Sequence, residues 1–107
     1  MPRKKEHLFD FLDRPSYEIL LALKSGSKGF NEIQKVSSLS VSNFNTRIDW
    51  LLELGLVKET LGGGKRKRKV YALTDTGKRI LELLEEIERV YKEGVMKEKE
   101  GREVVFR

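Results

Sequence analysis

The chain has 107 residues, of which 22 are Lys or Arg and 17 are Asp or Glu, so its formal net charge is +5. This length suits one domain with a core of three or four helices and a small sheet, and the positive charge favours an anionic partner. The sequence has no cysteine and one histidine, which excludes disulfides and thiol chemistry and predicts neither a metal site nor a cofactor.

No apolar run approaches the roughly 20 residues of a membrane-spanning helix. The charged start is also not followed by an apolar segment long enough for a secretory signal. We therefore expect a cytoplasmic protein without a membrane partner. A charged fraction of 36% with few Asn and Gln residues favours a thermophilic source.

Residues 1–14 are predicted to form an N-terminal arm. A basic start is followed by a short apolar cluster at helical spacing, made of Leu8, Phe9, Phe11 and Leu12. An element this short needs another surface to pack on. Two surfaces are open: the first helix of the same domain, or a partner subunit.

The first helix is predicted to begin near Pro15, with Asp13 or Arg14 as its cap. Its core stripe consists of Ile19, Leu20 and Leu23. A short second helix follows, and its spacing predicts three inward side chains: Phe30, Ile33 and Val36.

Residues 40–54 are predicted to form a third helix with Ser40 at its N-cap. One face is apolar and consists of Val41, Phe44, Ile48, Leu51 and Leu52. The opposite face carries hydrogen-bonding groups in its first turns, namely Ser42, Asn43, Thr46 and Arg47. Such groups suit base edges and phosphates. Two helices joined by a tight turn, the second longer and polar outside, are typical of a helix-turn-helix.

Two acidic residues limit how this helix could lie on DNA. Asp49 and Glu53 lie in its second half, where phosphates would repel them. We therefore expect only the N-terminal half of the helix to enter a groove. Trp50, at the edge of the polar face, is expected to cover the hydrophobic edge of the domain.

The next segment is predicted to be a β-hairpin. Its strands, at residues 56–61 and 69–74, flank three glycines and a run of five cations: Lys65, Arg66, Lys67, Arg68 and Lys69. Tyr71 and Leu73 should point to the same side of the hairpin. Five adjacent cations repel one another, which favours contact with an anion such as a DNA backbone.

A long helix is predicted to follow at residues 77–101, capped by Thr74 or Asp75, with a short tail at residues 102–107. Its apolar stripe is longer than a domain of this size can cover, so we expect the stripe from about Ile87 onward to pair with a second copy of the chain. The predicted dimerisation residues are Leu84, Ile87, Val90, Tyr91 and Val95.

Three motifs resemble those of bacterial and archaeal winged-helix transcription regulators of the MarR, PadR and HxlR type. Residues 29–33, GFNEI, resemble the G-x-F-N-E-L opening of a second helix. Residues 48–57, IDWLLELGLV, are similar to L-x-x-L-E-x-x-G-L-V, and residues 70–77, VYALTDTG, are similar to Y-x-L-T-x-x-G. The resemblance covers about residues 15–88 and implies DNA contacts from the third helix and the hairpin, and a homodimer. HxlR-type regulators often carry an N-terminal cysteine, which this chain lacks, so a thiol switch is excluded.

The expected fold is therefore mainly α with a small β-hairpin, an α+β winged helix-turn-helix over residues 15–76 with a long C-terminal dimerisation helix. The expected function is sequence-specific binding of double-stranded DNA by a homodimeric, nucleoid-associated transcription regulator. The recognition helix, residues 40–54, would lie in the major groove and the basic wing, residues 57–74, on the backbone. Two alternatives stay open: an architectural chromatin protein with low sequence specificity, and a winged-helix protein–protein interaction module. An enzyme is not expected, and nothing in the sequence marks an effector pocket.

Overall fold

The computed structural model describes residues 7–62 and 68–101, with side chains up to residue 97. Within these residues the chain folds into four α-helices and a two-stranded antiparallel sheet, preceded by a 3₁₀ turn at Leu8–Asp10. The elements are α1 (Arg14–Ala22), α2 (Phe30–Ser37), α3 (Val41–Leu54), β1 (Val57–Leu61), β2 (Lys69–Leu73) and α4 (Asp75–Gly101). This order confirms the predicted winged helix-turn-helix with a long C-terminal helix.

The core lies where the first three helices meet the sheet and the start of α4. Phe44 is at its centre, because its ring stands edge-on to Phe30 of α2 at 5.0 Å and to Tyr71 of β2 at 5.8 Å between centroids. The other large, fully buried apolar side chains are Ile19, Leu20, Ile33, Leu51 and Leu81. One aromatic residue thus joins the two helices of the helix-turn-helix to the hairpin.

Three side-chain caps fix where the helices begin, and each is among the residues that the sequence predicts for that cap. Asp13 accepts a hydrogen bond from the Ser16 N–H at 3.1 Å at the start of α1. Ser40 accepts one from the Asn43 N–H at 3.1 Å at the start of α3, and the Thr74 hydroxyl accepts the Gly77 N–H at 2.9 Å at the start of α4. Each cap satisfies a helix N–H that has no partner within its own helix.

Two valines predicted to be inward are exposed: Val36 by 62% and Val41 by 54%. Ser37 takes the inward position in place of Val36, since its hydroxyl donates to the Ile33 carbonyl oxygen at 2.7 Å and so loses no hydrogen bond on burial. Val41 is the first residue of α3, and burial on this face begins only one turn later, at Phe44.

The hairpin pairs Val57 with Leu73 at its base and Leu61 with Lys69 at its far end. Tyr71 and Leu73 are buried on the same side, as predicted. The sequence pattern did not reveal a further backbone pairing, in which Lys28 and Tyr71 exchange two N–H···O bonds of 2.9 and 2.8 Å. β2 is therefore hydrogen-bonded on both sides, which ties the hairpin to the segment between α1 and α2.

The end of β2 and the start of α4 are held against the segment that follows α3. The Thr74 N–H donates to the Leu56 carbonyl oxygen at 3.0 Å, and the Thr74 hydroxyl donates to the Gly55 carbonyl oxygen at 2.7 Å. A Cβ atom on Gly77 would lie 1.9 Å from the Leu56 carbonyl oxygen. Only glycine fits at this position, so the second and third sequence motifs meet in space.

The N-terminal cluster packs on its own domain. Phe11 is buried and its ring stands edge-on to Trp50 at 5.2 Å, while Leu8 and Leu12 lie against the core. These contacts agree with the first of the two surfaces predicted for the arm, its own domain, and they place Trp50 over a hydrophobic edge. Phe9 remains exposed.

Helix α4 is covered by the domain only in its first half. Leu81 is buried, and Ile80 and Leu84 are half-buried against the core. An ion pair of 2.8 Å between Lys24 and Glu85 joins this half to α1. Further along, the apolar side chains are exposed: Ile87 by 60%, Val90 by 58% and Tyr91 by 65%. Across residues 7–62 and 68–101, no helix is both long and apolar enough to cross a membrane.

Candidate nucleic-acid interface

The exposed face of α3 carries neutral polar groups in its N-terminal half. Ser42, Asn43 and Thr46, predicted from the sequence, are all exposed. Asn45 is also exposed, although the sequence pattern did not single it out, because it lies at the border between the apolar and polar faces of the helix. No carboxylate occurs between residues 41 and 48. This half of the helix can therefore approach phosphates without repulsion and offers both hydrogen-bond donors and acceptors.

Ser40 lies at the start of the same face and has a structural task as well. Its hydroxyl oxygen accepts the Asn43 N–H as the N-cap of α3, and its own O–H remains a donor. The N-terminus of α3 also carries the positive end of the helix dipole, which favours an anion nearby. Ser40 is thus placed where a phosphate could meet both the hydroxyl and the dipole.

The Arg47 side chain is more buried than its position on the polar face of α3 suggests. Its side chain is 21% exposed, and its Nη2 lies 2.7 Å from Oδ2 of Asp13, 34 residues away along the chain. The guanidinium also lies over the Trp50 ring, 4.8 Å from its centroid, and Nη1 donates to Oδ1 of Asn43 at 3.1 Å. A guanidinium has five N–H groups, so those turned away from Asp13 and Asn43 remain for a phosphate.

Asp13 is affected by this contact. Partial burial by itself would raise the pKa of the Asp13 carboxyl, but hydrogen bonds from Arg47 and Ser16 outweigh it, so the pKa lies below its ordinary value. Asp13 is therefore a carboxylate at neutral pH, and it joins the first turn of α1 to the exposed face of α3. No local sequence pattern could have paired Asp13 with Arg47.

The hairpin contributes the second group of predicted contacts. Arg68 and Lys69 are exposed, and their nearest carboxylates, on Glu32 and Glu59, lie at 3.8 and 3.9 Å. Exposed pairs this long contribute little to stability, so a phosphate could replace either carboxylate at small cost. The predicted contacts Lys65, Arg66 and Lys67 lie outside the described residues.

The hairpin and α2 meet at Gly29. The N–H of Gly29, the N-cap of α2, donates to the Glu32 carboxylate at 2.8 Å. A Cβ on Gly29 would lie 3.4 Å from the Lys69 carbonyl oxygen. The start of β2 is therefore packed against the N-terminus of α2, which fixes the position of the hairpin relative to the helix-turn-helix.

The fold that presents α3 and the basic hairpin can be compared with known proteins. A family model described as winged helix-turn-helix matches residues 16–92. No curated protein sequence matches the chain. Among solved structures, a Streptococcus mutans protein is 25% identical with a TM-score of 0.72, and the match covers 86% of this chain and 92% of that one. A PadR family transcription regulator from Clostridium difficile is 20% identical with a TM-score of 0.73, covering 79% of this chain and 97% of that one.

A transcriptional regulator homologue from Pyrococcus horikoshii is also similar, at 27% identity and a TM-score of 0.65, with 75% of this chain and 81% of that one covered. The Clostridium difficile and Pyrococcus horikoshii proteins are described as a transcription regulator and a transcriptional regulator homologue, and not as enzymes. All three likenesses agree with the element order and with the hairpin beside α3. Because the family model spans most of the sequence, the chain belongs to the winged helix-turn-helix family.

Proposed function

We propose that this protein is a homodimeric transcription regulator that binds double-stranded DNA in a sequence-specific manner. The observation that carries the proposal is the N-terminal half of α3, which exposes Ser42, Asn43 and Thr46 without any carboxylate. This face lies on the same domain as a hairpin that ends in consecutive cations. The similar Pyrococcus horikoshii structure, which is titled a transcriptional regulator homologue, supports the same function.

In this proposal α3 enters a major groove with its N-terminal half. The groove is about 12 Å wide and admits one α-helix. The carboxamide of Asn43 can then pair with a base edge, while the hydroxyls of Ser40, Ser42 and Thr46 reach bases or phosphates. Asp49 and Glu53, which are exposed in the second half of α3, stay away from the phosphates.

The basic hairpin lies on the neighbouring backbone in the same arrangement. Arg68 and Lys69 at its far end contact phosphates, together with Lys65, Arg66 and Lys67. Arg47 adds a phosphate contact through the N–H groups that it does not use within the protein. These contacts hold the protein on any sequence, and α3 provides the preference among sequences.

A second copy of the chain covers the exposed stripe of α4. The residues that face it are the five predicted ones: Ile87, Val90 and Tyr91, which are exposed, and Leu84 and Val95, which are half-buried. Large apolar side chains at successive turns of one helix are costly to leave in water. A two-fold axis at α4 would place two α3 helices in successive major grooves, about 34 Å apart. Such a dimer acts in the cytoplasm, at the nucleoid.

Direct binding tests this function. A fluorescently labelled 30-base-pair duplex is titrated with the protein at several salt concentrations. We expect the logarithm of the binding constant to fall linearly with the logarithm of the salt concentration, because each phosphate contact releases counterions. Absence of binding at low salt would contradict the proposal and favour a protein partner. Tight binding that does not distinguish sequences would instead favour an architectural chromatin protein.

A further inference from the structure

We propose, building on the DNA-binding function proposed above, that Asp13 is a positioning residue for base recognition. Acting through Arg47, it fixes the orientation of the Asn43 carboxamide and so determines which base α3 prefers. Asp13 lies at the start of α1, outside the helix-turn-helix itself, and contacts no DNA in this proposal.

The first step is the ion pair between Asp13 and Arg47. Oδ2 of Asp13 accepts from Nη2 at 2.7 Å and from Nε at 3.2 Å. Two bonds along one edge of a planar guanidinium fix both its position and the direction of its plane. Asp13 is itself held in place, because its Oδ1 accepts the Ser16 N–H as the cap of α1.

The second step is the support beneath the guanidinium. Arg47 lies over the Trp50 ring, and that ring is held edge-on by Phe11, which is only 6% exposed. An arginine that stacks on an aromatic face while pairing with a carboxylate has little freedom to turn. The guanidinium is thus a rigid part of the surface next to α3.

The third step is the choice that this rigid group imposes on Asn43. The two ends of a carboxamide have nearly the same shape, but one end accepts hydrogen bonds and the other donates them. Arg47 can only donate, and its Nη1 meets Oδ1 of Asn43 at 3.1 Å. A flipped amide would place two donors against each other, so the oxygen of Asn43 stays on the Arg47 side.

A fixed carboxamide recognises one base edge better than another. Oδ1 keeps a second lone pair and Nδ2 keeps two N–H groups. Adenine needs that combination, because its major-groove edge offers an N–H donor at N6 and an acceptor at N7, whereas guanine offers two acceptors. Loss of the Asp13 contact would free the amide to turn and would therefore weaken the distinction between these bases.

The alternative role for Asp13 is to neutralise the charge of Arg47. In that case Asp13→Asn would release Arg47 toward a phosphate, which would tighten binding to every sequence and steepen the salt slope by about 0.9. A positioning role predicts different binding data for Asp13→Asn. The slope stays that of the wild type, and the ratio of affinities for different sequences falls.

The test uses the full chain and two types of measurement. Asp13→Asn keeps a side chain that can cap α1 and removes the charge that holds Arg47. Asp10→Asn is the matched control, because Asp10 is an exposed acid of the same arm and the charge change is the same. Asn43→Ala identifies the base pair that Asn43 reads, as the position in the preferred duplex where discrimination is lost.

We expect Asp13→Asn to reduce discrimination at that base pair by about tenfold, within the range that a bidentate contact provides. Asp10→Asn should leave it unchanged, and adding Asp13→Asn to Asn43→Ala should cause no further loss. In the free protein, Asp13→Asn should also shift the side-chain NH₂ resonances of Asn43 but not those of Asn45.

Wild-type discrimination in the Asp13→Asn variant, or unchanged Asn43 resonances, would overturn the positioning role. A uniform gain in affinity beyond that of Asp10→Asn would also overturn it and would assign neutralisation instead. A different outcome would separate the two proposals. If the wild-type protein does not discriminate between sequences, but Asp13→Asn still shifts the Asn43 resonances, the proposed function is contradicted. The contact between Asp13, Arg47 and Asn43 is not.

Discussion

Gly77 shows how much of this structure can depend on one residue. It lies where the first turn of α4 crosses the backbone at Leu56, with no room for a Cβ atom. Gly77→Ala should therefore displace α4 and lower the free energy of unfolding by about 3 kcal/mol, as strong overpacking does. Urea denaturation measures the loss. Gly94→Ala is the control within the same helix, because nothing in the same chain lies within 4 Å of the added Cβ, and alanine should stabilise the helix by about 0.5–1 kcal/mol. Equal stability of Gly77→Ala and the wild type would refute the close packing.

The lowered pKa of Asp13 makes the free energy of unfolding depend on pH. Because its pKa is lowered in the folded protein, the folded state holds the carboxylate more strongly than the unfolded chain does. The resulting stability is complete well above the ordinary pKa of 3.8 and is lost as the pH falls through the lower folded-state pKa. The wild type should thus lose unfolding free energy on acidification more steeply than Asp13→Asn. Parallel curves for the two proteins, measured by urea unfolding across this range, would show that the ion pair contributes nothing.

For the helices and strands, interactions between residues close in the sequence could be predicted, whereas contacts between distant residues could not. The caps Asp13, Ser40 and Thr74 could be predicted, because each acts on N–H groups two or three residues away. The inward turn of Ser37 depends on what α2 packs against, so the apolar spacing wrongly favoured Val36. The backbone pairing of Lys28 involves one residue and leaves no periodic pattern to find.

The same distinction holds for the candidate interface. The polar face of α3 follows from helical spacing alone, so Ser42, Asn43 and Thr46 could be chosen from the sequence. The pairing of Arg47 with Asp13 spans 34 residues and becomes visible only when α1 and α3 are packed together. It changes Arg47 from a free cation into a partly internal one.

The proposed phosphate contacts of the hairpin can be tested by substitution. Replacing both Arg68 and Lys69 with alanine should weaken binding to all duplexes and reduce the salt slope by about 1.8, since two phosphate contacts are lost. Lys92→Ala with Lys97→Ala removes the same charge from the half of α4 furthest from β2, and should change the slope far less. An unchanged slope in the hairpin variant would mean that the wing does not lie on the DNA backbone.

For the whole molecule, the decisive feature is the uncovered half of α4. Ile87→Glu with Tyr91→Glu places two charges in the exposed apolar stripe, and should convert a dimer into a monomer that keeps its fold, because neither side chain is part of the core. Arg89→Glu changes the net charge by the same amount on the polar side of the helix, where Arg89 pairs with Glu86 and Glu93. Analytical ultracentrifugation distinguishes the outcomes. If the stripe variant sediments like the wild type, α4 is not the interface.

The most direct measurement is selection from a randomised duplex pool with the wild-type protein, its dimeric state established beforehand by ultracentrifugation. A homodimer that reads DNA through α3 should enrich a two-fold symmetric motif, with half-site centres about 10 base pairs apart, one turn of the double helix. The monomeric stripe variant should lose that enrichment. A wild-type dimer that binds the pool without enriching any motif, or that retains no DNA, would contradict the proposal of a sequence-specific regulator.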